Sequence, residues 1–163
     1  MGEAIQKAIL SKLVTREDIF LQTKFTSVDG QDANSIPYDR KAPLEEQVQQ
    51  SIAKSLLNLQ TSYIDSLILH SPMDTFEETL TVWKVFEDYV SSGVVKSIGI
   101  SNTYSLPYLK KLFESVRIKP SFLQNRFHSR TNYDVEIRKF CLEKGIKYQS
   151  FWTLTANPGV VNR

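Results

Sequence analysis

The segment SYIDSLILHSPMD, residues 62–74, runs from an aromatic through a stripe of branched aliphatics to His70, and Pro72 stops it two positions later. Residues 62–70 therefore predict a buried strand that ends at a histidine. Thr75 and Glu78 follow at capping-box spacing, after which Phe76, Leu80, Trp83 and Val90 recur with helical period until Gly93 breaks it. A strand that passes through a capped turn into a helix is half of a βαβ unit, and the rest of the chain repeats it.

Upstream, IFLQTKF (19–25) predicts a strand and APLEEQVQQSIAKSLLNLQ (42–60) a helix with Leu44, Val48, Ile52, Leu56 and Leu59 on one face. Downstream, VVKSIGIS (94–101) and SFLQNRF (121–127) predict strands, separated by the helix SLPYLKKLFESV (105–116) with proline in its first turn. Thr131 and Asp134 then precede a helix carrying Val135, Ile137, Phe140 and Cys141; Gly145 closes it, and IKYQSF (146–151) is a fifth strand. The first twelve residues form one more helix, with Ile5, Ala8 and Ile9 inward. This alternation implies parallel strands joined by right-handed crossovers. An open doubly wound sheet and a barrel both satisfy it, but no G-x-G-x-x-G follows any strand, which favours the barrel.

The chain has 163 residues, 41% hydrophobic and 23% charged, the balance of one ordinary globular domain. Its net charge of +2 comes from interspersed residues with no basic block, so neither nucleic acid nor an anionic membrane is expected as a partner. Cys141 is the only cysteine, which excludes an internal disulfide and a cysteine-based zinc site and reads as a small core residue. No apolar run reaches the length of a membrane span, and the opening MGEAIQKAIL lacks the basic stretch of a secretory signal, so a cytoplasmic location is expected.

In a parallel barrel the reacting groups gather where strands end. Lys24, His70, Ser101, Asn102, Gln124, Asn125, Phe151 and Trp152 all fall at such ends. A lone histidine or lysine there reads as structural. A lysine one strand before a histidine is different, because the ammonium lowers the pKa of a neighbouring acid and a neutral imidazole orients a carbonyl oxygen.

The pieces LQTKF (21–25), YIDSLILHSP (63–72), SSGVVKSIGISN (91–102), FLQNRFH (122–128) and YQSFWTLTANP (148–158) resemble the aldo-keto reductases in order and spacing. The loop GQDANSIPYDRKAPL (30–44) is similar to a fungal branch of that family. The resemblance implies a parallel (β/α)₈ barrel of which residues 1–163 are the middle part, about strands 3 to 7, and NADPH-dependent reduction of an aldehyde or ketone. On it, Lys24 matches the lysine that lowers the pKa of the proton-donating tyrosine, and His70 the histidine that orients the substrate carbonyl. Ser101, Asn102 and Gln124 match the side chains that bind the nicotinamide carboxamide, Phe151 the aromatic that stacks on the ring, and Thr153 and Leu154 the start of the loop that passes the pyrophosphate. The family's aspartate and tyrosine, and the strand and helix that grip the adenosine phosphate, fall outside the matched residues. Tyr38 and Tyr104 occupy other positions and are not expected to replace that tyrosine. The alternative is an inactive remnant that binds partners, or a second copy of itself, through open sheet edges.

Overall fold

A computed structural model describes residues 1–32 and 34–161 of the chain. The elements run α1 (Gly2–Leu10), β1 (Gln22–Phe25), α2 (Leu44–Leu59), β2 (Ser66–Leu69), α3 (Phe76–Ser91), β3 (Ile98–Ser101), α4 (Leu106–Ser115), β4 (Phe122–Arg126), α5 (Val135–Lys144), β5 (Lys147–Phe151) and α6 (Pro158–Val161). All five strands are parallel, and their order in the sheet is their order in the sequence. A doubly wound sheet reverses its order at a switch point; this one does not, and it is the singly wound arc of a (β/α)₈ barrel.

Side-chain alternation divides the strands between two faces. Phe25, Leu67, Leu69, Ile98, Ile100 and Leu123 point outward and pack with Val48 and Ile52 of α2, Trp83 and Phe86 of α3, and Leu109 and Leu112 of α4. The expected cap of α3 is present: Thr75 Oγ1 accepts from Glu78 N and the Glu78 carboxylate accepts from Thr75 N. Trp83 sits in the core at 1% exposure, its indole N–H donating to Ile118 O at 2.9 Å. Gly145 ends α5 in the left-handed region at φ 71°, as its place after the last apolar residue predicted.

The inner face reports how far the sheet curls. Gln124 on β4 donates from Nε2 to Gln22 Oε1 on β1 at 2.9 Å and to Gln149 Oε1 on β5 at 2.8 Å. In a flat sheet, β1 and β4 would lie about 14 Å apart, beyond the reach of two glutamine side chains. The sheet is therefore bent into a trough, and Phe20, just before β1, also meets Phe122 of β4 across it at 5.8 Å between ring centroids. Gly99 keeps the trough narrow: a Cβ there would overlap the Phe122 carbonyl and the Ile68 side chain.

Below the trough, Arg16 bonds Tyr63 O at 2.9 Å and Asp65 Oδ2 at 2.8 Å, and Asp65 in turn accepts from Leu21 N at 2.9 Å. This ties the entry of β1 to the entry of β2. No helix among the described residues is long and apolar enough to cross a membrane.

Candidate active site

The parallel register sets the strand ends side by side. Lys24 lies opposite Ile68 and Phe25 opposite Leu69, so His70 emerges one step beyond, its backbone N–H donating to Phe25 O at 2.9 Å. The imidazole Nδ1 is 3.1 Å from Thr26 Oγ1. Burial, and then the Lys24 ammonium, hold the His70 pKa below the ordinary imidazole value. The ring is thus biased to its neutral form. In the tautomer in which Thr26 Oγ1 donates to Nδ1, the ring hydrogen lies on Nε2 and is available to an incoming carbonyl oxygen.

Asn102 closes the next side. It holds the left-handed conformation at φ 54°, which turns its side chain back so that Nδ2 donates to His70 O at 2.8 Å. Ser101 is 1% exposed, and its hydroxyl donates to Gln124 O at 2.6 Å. Both hydrogens of Gln124 Nε2 are taken by Gln22 and Gln149. What Gln124 offers a ligand is its carbonyl oxygen, which suits a primary amide; the half-buried Phe151 ring on β5 lies two residues beyond Gln149. These residues therefore fit a nicotinamide in part: an acceptor for its amide nitrogen and an aromatic surface, with the Ser101 hydroxyl already engaged.

Lys24, His70, Ser101, Asn102 and Gln124 are brought together. Lys24 is exposed on β1, which pairs on one side only. Thr153 and Leu154 stand apart: Thr153 Oγ1 donates to Ser150 Oγ at 2.9 Å, and both residues line a cavity of about 480 Å³ with Phe127 and Tyr133. Asn125, expected at the mouth, is 0% exposed on the helix-facing side, because alternation turns it away from Gln124. There its Oδ1 accepts from Thr103 N at 3.0 Å, and its Nδ2 donates to Thr103 O at 2.8 Å and to Asp134 Oδ2 at 2.7 Å.

Sequence reading missed Thr26. Its signal was position, a hydroxyl directly after a strand and level with the histidine of the next strand. Tyr38 proves to be its support: buried at 7% exposure, it donates to Thr26 O at 2.7 Å, and Gln31 Nε2 donates to the same carbonyl at 2.7 Å. Burial raises the Tyr38 pKa. Tyr104 donates to Asn102 Oδ1 at 3.3 Å and accepts from Arg126 N at 3.0 Å, linking β3 to β4 at the mouth.

The five parallel strands thus carry a lysine, a histidine and two side-chain amides at their C-terminal ends. Residues 1–160 match the model of the aldo/keto reductase family, and the chain belongs to that family. It is 30% identical over 112 residues to the NAD/NADP-dependent indole-3-acetaldehyde reductase of Schizosaccharomyces pombe, covering 66% of this chain and 39% of that protein. It is 27% identical over 151 residues to the glyoxal reductase of Bacillus subtilis, covering 91% and 48%. Among solved structures, an aldo/keto reductase from Brucella melitensis superposes with a TM-score of 0.73 at 27% identity, covering 99% of this chain and 58% of that one. An aldo-keto reductase of Bombyx mori in complex with NADP does so with a TM-score of 0.73 at 25% identity, covering 93% and 47%. The chain thus spans about half the length of the curated relatives it matches, or less.

Proposed function

We propose that residues 1–163 are the middle part of an aldo-keto reductase barrel that reduces an aldehyde or ketone to an alcohol with NADPH. The observation that carries this reading is the Lys24–Thr26–His70 group: an imidazole biased to its neutral form and hydrogen-bonded to Thr26, beside an ammonium at adjacent strand ends. His70 Nε2–H orients the carbonyl oxygen, and the positive charge of Lys24 favours the negative charge that gathers on that oxygen as the carbon is reduced. Gln124, Asn102 and Phe151 would hold the nicotinamide, with Ser101 fixing the Gln124 backbone beneath it. NADPH, when bound, supplies the hydride. Relatives that reduce indole-3-acetaldehyde and glyoxal favour a small aldehyde as substrate.

The test is a chimera in which the B. subtilis glyoxal reductase supplies the barrel segments on either side of residues 1–163. NADPH oxidation with glyoxal is expected, and His70→Ala should lower kcat by about 10²-fold or more. Unchanged turnover in both Lys24→Ala and His70→Ala would remove these residues from the reaction.

The inactive-remnant reading is favoured by one feature, the exposed Lys24 on an edge strand. It predicts that the unextended chain fails to oxidise NADPH yet associates through that edge.

A further inference from the structure

The contact between Thr26 and His70 depends on which way the Thr26 side chain is turned, and the loop after β1 decides that. Thr26 is β-branched, so its χ1 has few settings, and a step of about 120° exchanges methyl and hydroxyl. The hydroxyl lies 3.1 Å from His70 Nδ1. The methyl lies against Gly30: a Cβ added at Gly30 would come to 2.8 Å from Thr26 Cγ2, too close for two carbons. The next atoms it would meet, Ser27 Oγ at 3.9 Å and His70 Nδ1 at 4.0 Å, are ordinary contacts. Gly30 is exposed, so the space its missing side chain leaves serves the Thr26 methyl and little else.

The Thr26 backbone is held as firmly. Its carbonyl accepts from Tyr38 OH and from Gln31 Nε2, each at 2.7 Å, and Gln31 Nε2 also donates to Tyr38 OH at 3.1 Å. Both hydrogens of that amide and both lone pairs of that carbonyl are then engaged. The two donors are themselves placed. Gly30 N donates to Ser27 O at 3.1 Å and Gln31 N to Val28 O at 3.2 Å, a short 3₁₀ turn that folds Gln31 back onto Thr26. Tyr38 packs on Phe25 with 5.7 Å between ring centroids, and the N–H of the following Asp39 donates to Gln50 Oε1 on α2 at 2.7 Å. A path of direct contacts therefore runs from α2 through Tyr38 and Thr26 to the imidazole.

We propose that Gly30, Gln31 and Tyr38 are positioning residues for His70: by holding Thr26 in the one setting that presents its hydroxyl to Nδ1, they keep the ring hydrogen on Nε2, the nitrogen left for a carbonyl oxygen. Release of Thr26 from that setting leaves Nδ1 to water, and the imidazole then shares its hydrogen between the two nitrogens. The consequence for catalysis rests on the reductase reading above; the placement of the ring does not.

Long-range ¹H–¹⁵N spectra of the chain read the ratio of the Nε2–H to the Nδ1–H form of His70 directly. The Nε2–H form should dominate in the wild type. Gly30→Ala, which acts on the Thr26 methyl, should lower the ratio about fivefold, the effect of one lost hydrogen bond. Tyr38→Phe keeps the buried ring and Gln31→Leu removes only a half-buried amide, so the double variant should fold, with near-ultraviolet circular dichroism as the control, and should lower the ratio by as much. A loop with a merely structural role would lose stability in these variants and leave the ratio in place. In the glyoxal reductase chimera, kcat should fall in step with the ratio while KM for NADPH holds. A shifted ratio with unchanged kcat would uphold the positioning and overturn the reductase role of His70. A dominant Nδ1–H form in the wild type, or a ratio within about twofold of wild type in both folded Gly30→Ala and the folded double variant, overturns the positioning itself.

Discussion

At the scale of single residues, the chemistry rests on how His70 is held. Its pKa is lowered by burial and by Lys24, so near the ordinary value of 6.5 the folded protein binds fewer protons at His70 than the unfolded chain does. Stability then rises with pH: the contribution is complete above the unfolded value and is lost as pH falls through it toward the lower folded value. Urea unfolding across the imidazole range should show this slope, and His70→Gln should flatten it; an unchanged slope would place the titration elsewhere. Thr26→Val removes the hydroxyl that fixes the ring at 3.1 Å. Long-range ¹H–¹⁵N spectra should show a dominant Nε2–H tautomer for His70 in the wild type and a mixture in the variant, with His128→Gln used to assign the only other histidine. Lys24 and His70 were legible because each ends an apolar strand. Thr26 was not, since a hydroxyl after a strand carries no signal until the neighbouring strand fixes what it faces.

Among the elements, the periodic signals held and the ends moved. Five strands and their intervening helices lie where apolar runs and helical spacing put them, yet the run 62–70 pairs as a strand only over Ser66–Leu69, with Ile64 making an isolated bridge to Val95. Apolar residues outlast the ladder because they go on packing where the curled sheet has stopped pairing. Asp134 is the instructive departure. It was expected ahead of α5 and is there, but its side chain makes no cap bond. Asn132, Tyr133 and Asp134 all take left-handed conformations, with φ of 50°, 53° and 53°, and so swing the carboxylate inward to 3% exposure. There it accepts from Asn125 Nδ2 on β4 at 2.7 Å and from Tyr148 OH on β5 at 3.0 Å, and Tyr148 has its pKa raised by burial first and by Asp134 next. Asp134→Ala would strand the buried Asn125 donor and the half-buried Tyr148 hydroxyl and put alanine where aspartate and asparagine are the better-tolerated residues. A loss of about 2–3 kcal/mol in urea unfolding is expected. Adding Tyr148→Phe, which removes one of the stranded donors, should recover part of it. Cys141, packed nearby with its thiol pushed up to about 12 by burial and then by Asp134, should stay unreactive to alkylating reagents in the folded wild type.

For the whole molecule, the open question is the two edges that a trough has and a closed barrel lacks. On β1, the carbonyls of Leu21 and Phe25 accept from the β2 side, so Gln22 and Lys24 direct their backbone groups outward. On β5, Lys147 N donates to Ser121 O and Phe151 O accepts from Phe127 N, which leaves Tyr148 and Ser150 facing away from the sheet. Several features restrain pairing with another chain. The strands are four and five residues long, and exposed Lys24 and Lys147 stand on them. The glutamine contacts across the trough also leave its interior less open than five flat strands would be. Against these stand the side chains at the rims, with Phe20 at 59% exposure, Trp152 at 58% and Leu154 at 68%. Apolar rims beside unpaired backbone favour strand addition, so the isolated chain should self-associate at micromolar concentration in sedimentation velocity. Ser150→Pro discriminates edge pairing from nonspecific clustering. It removes an outward N–H and no bond to β4, so it should leave the monomer folded while blocking addition at β5. Phe20→Lys acts on the other rim, where it removes apolar surface beside β1. Both substitutions should shift the distribution toward monomer, and the pair together further than either alone. A wild-type chain that sediments as a monomer at every concentration would show that the lysines and the cross-trough contacts suffice to protect both edges.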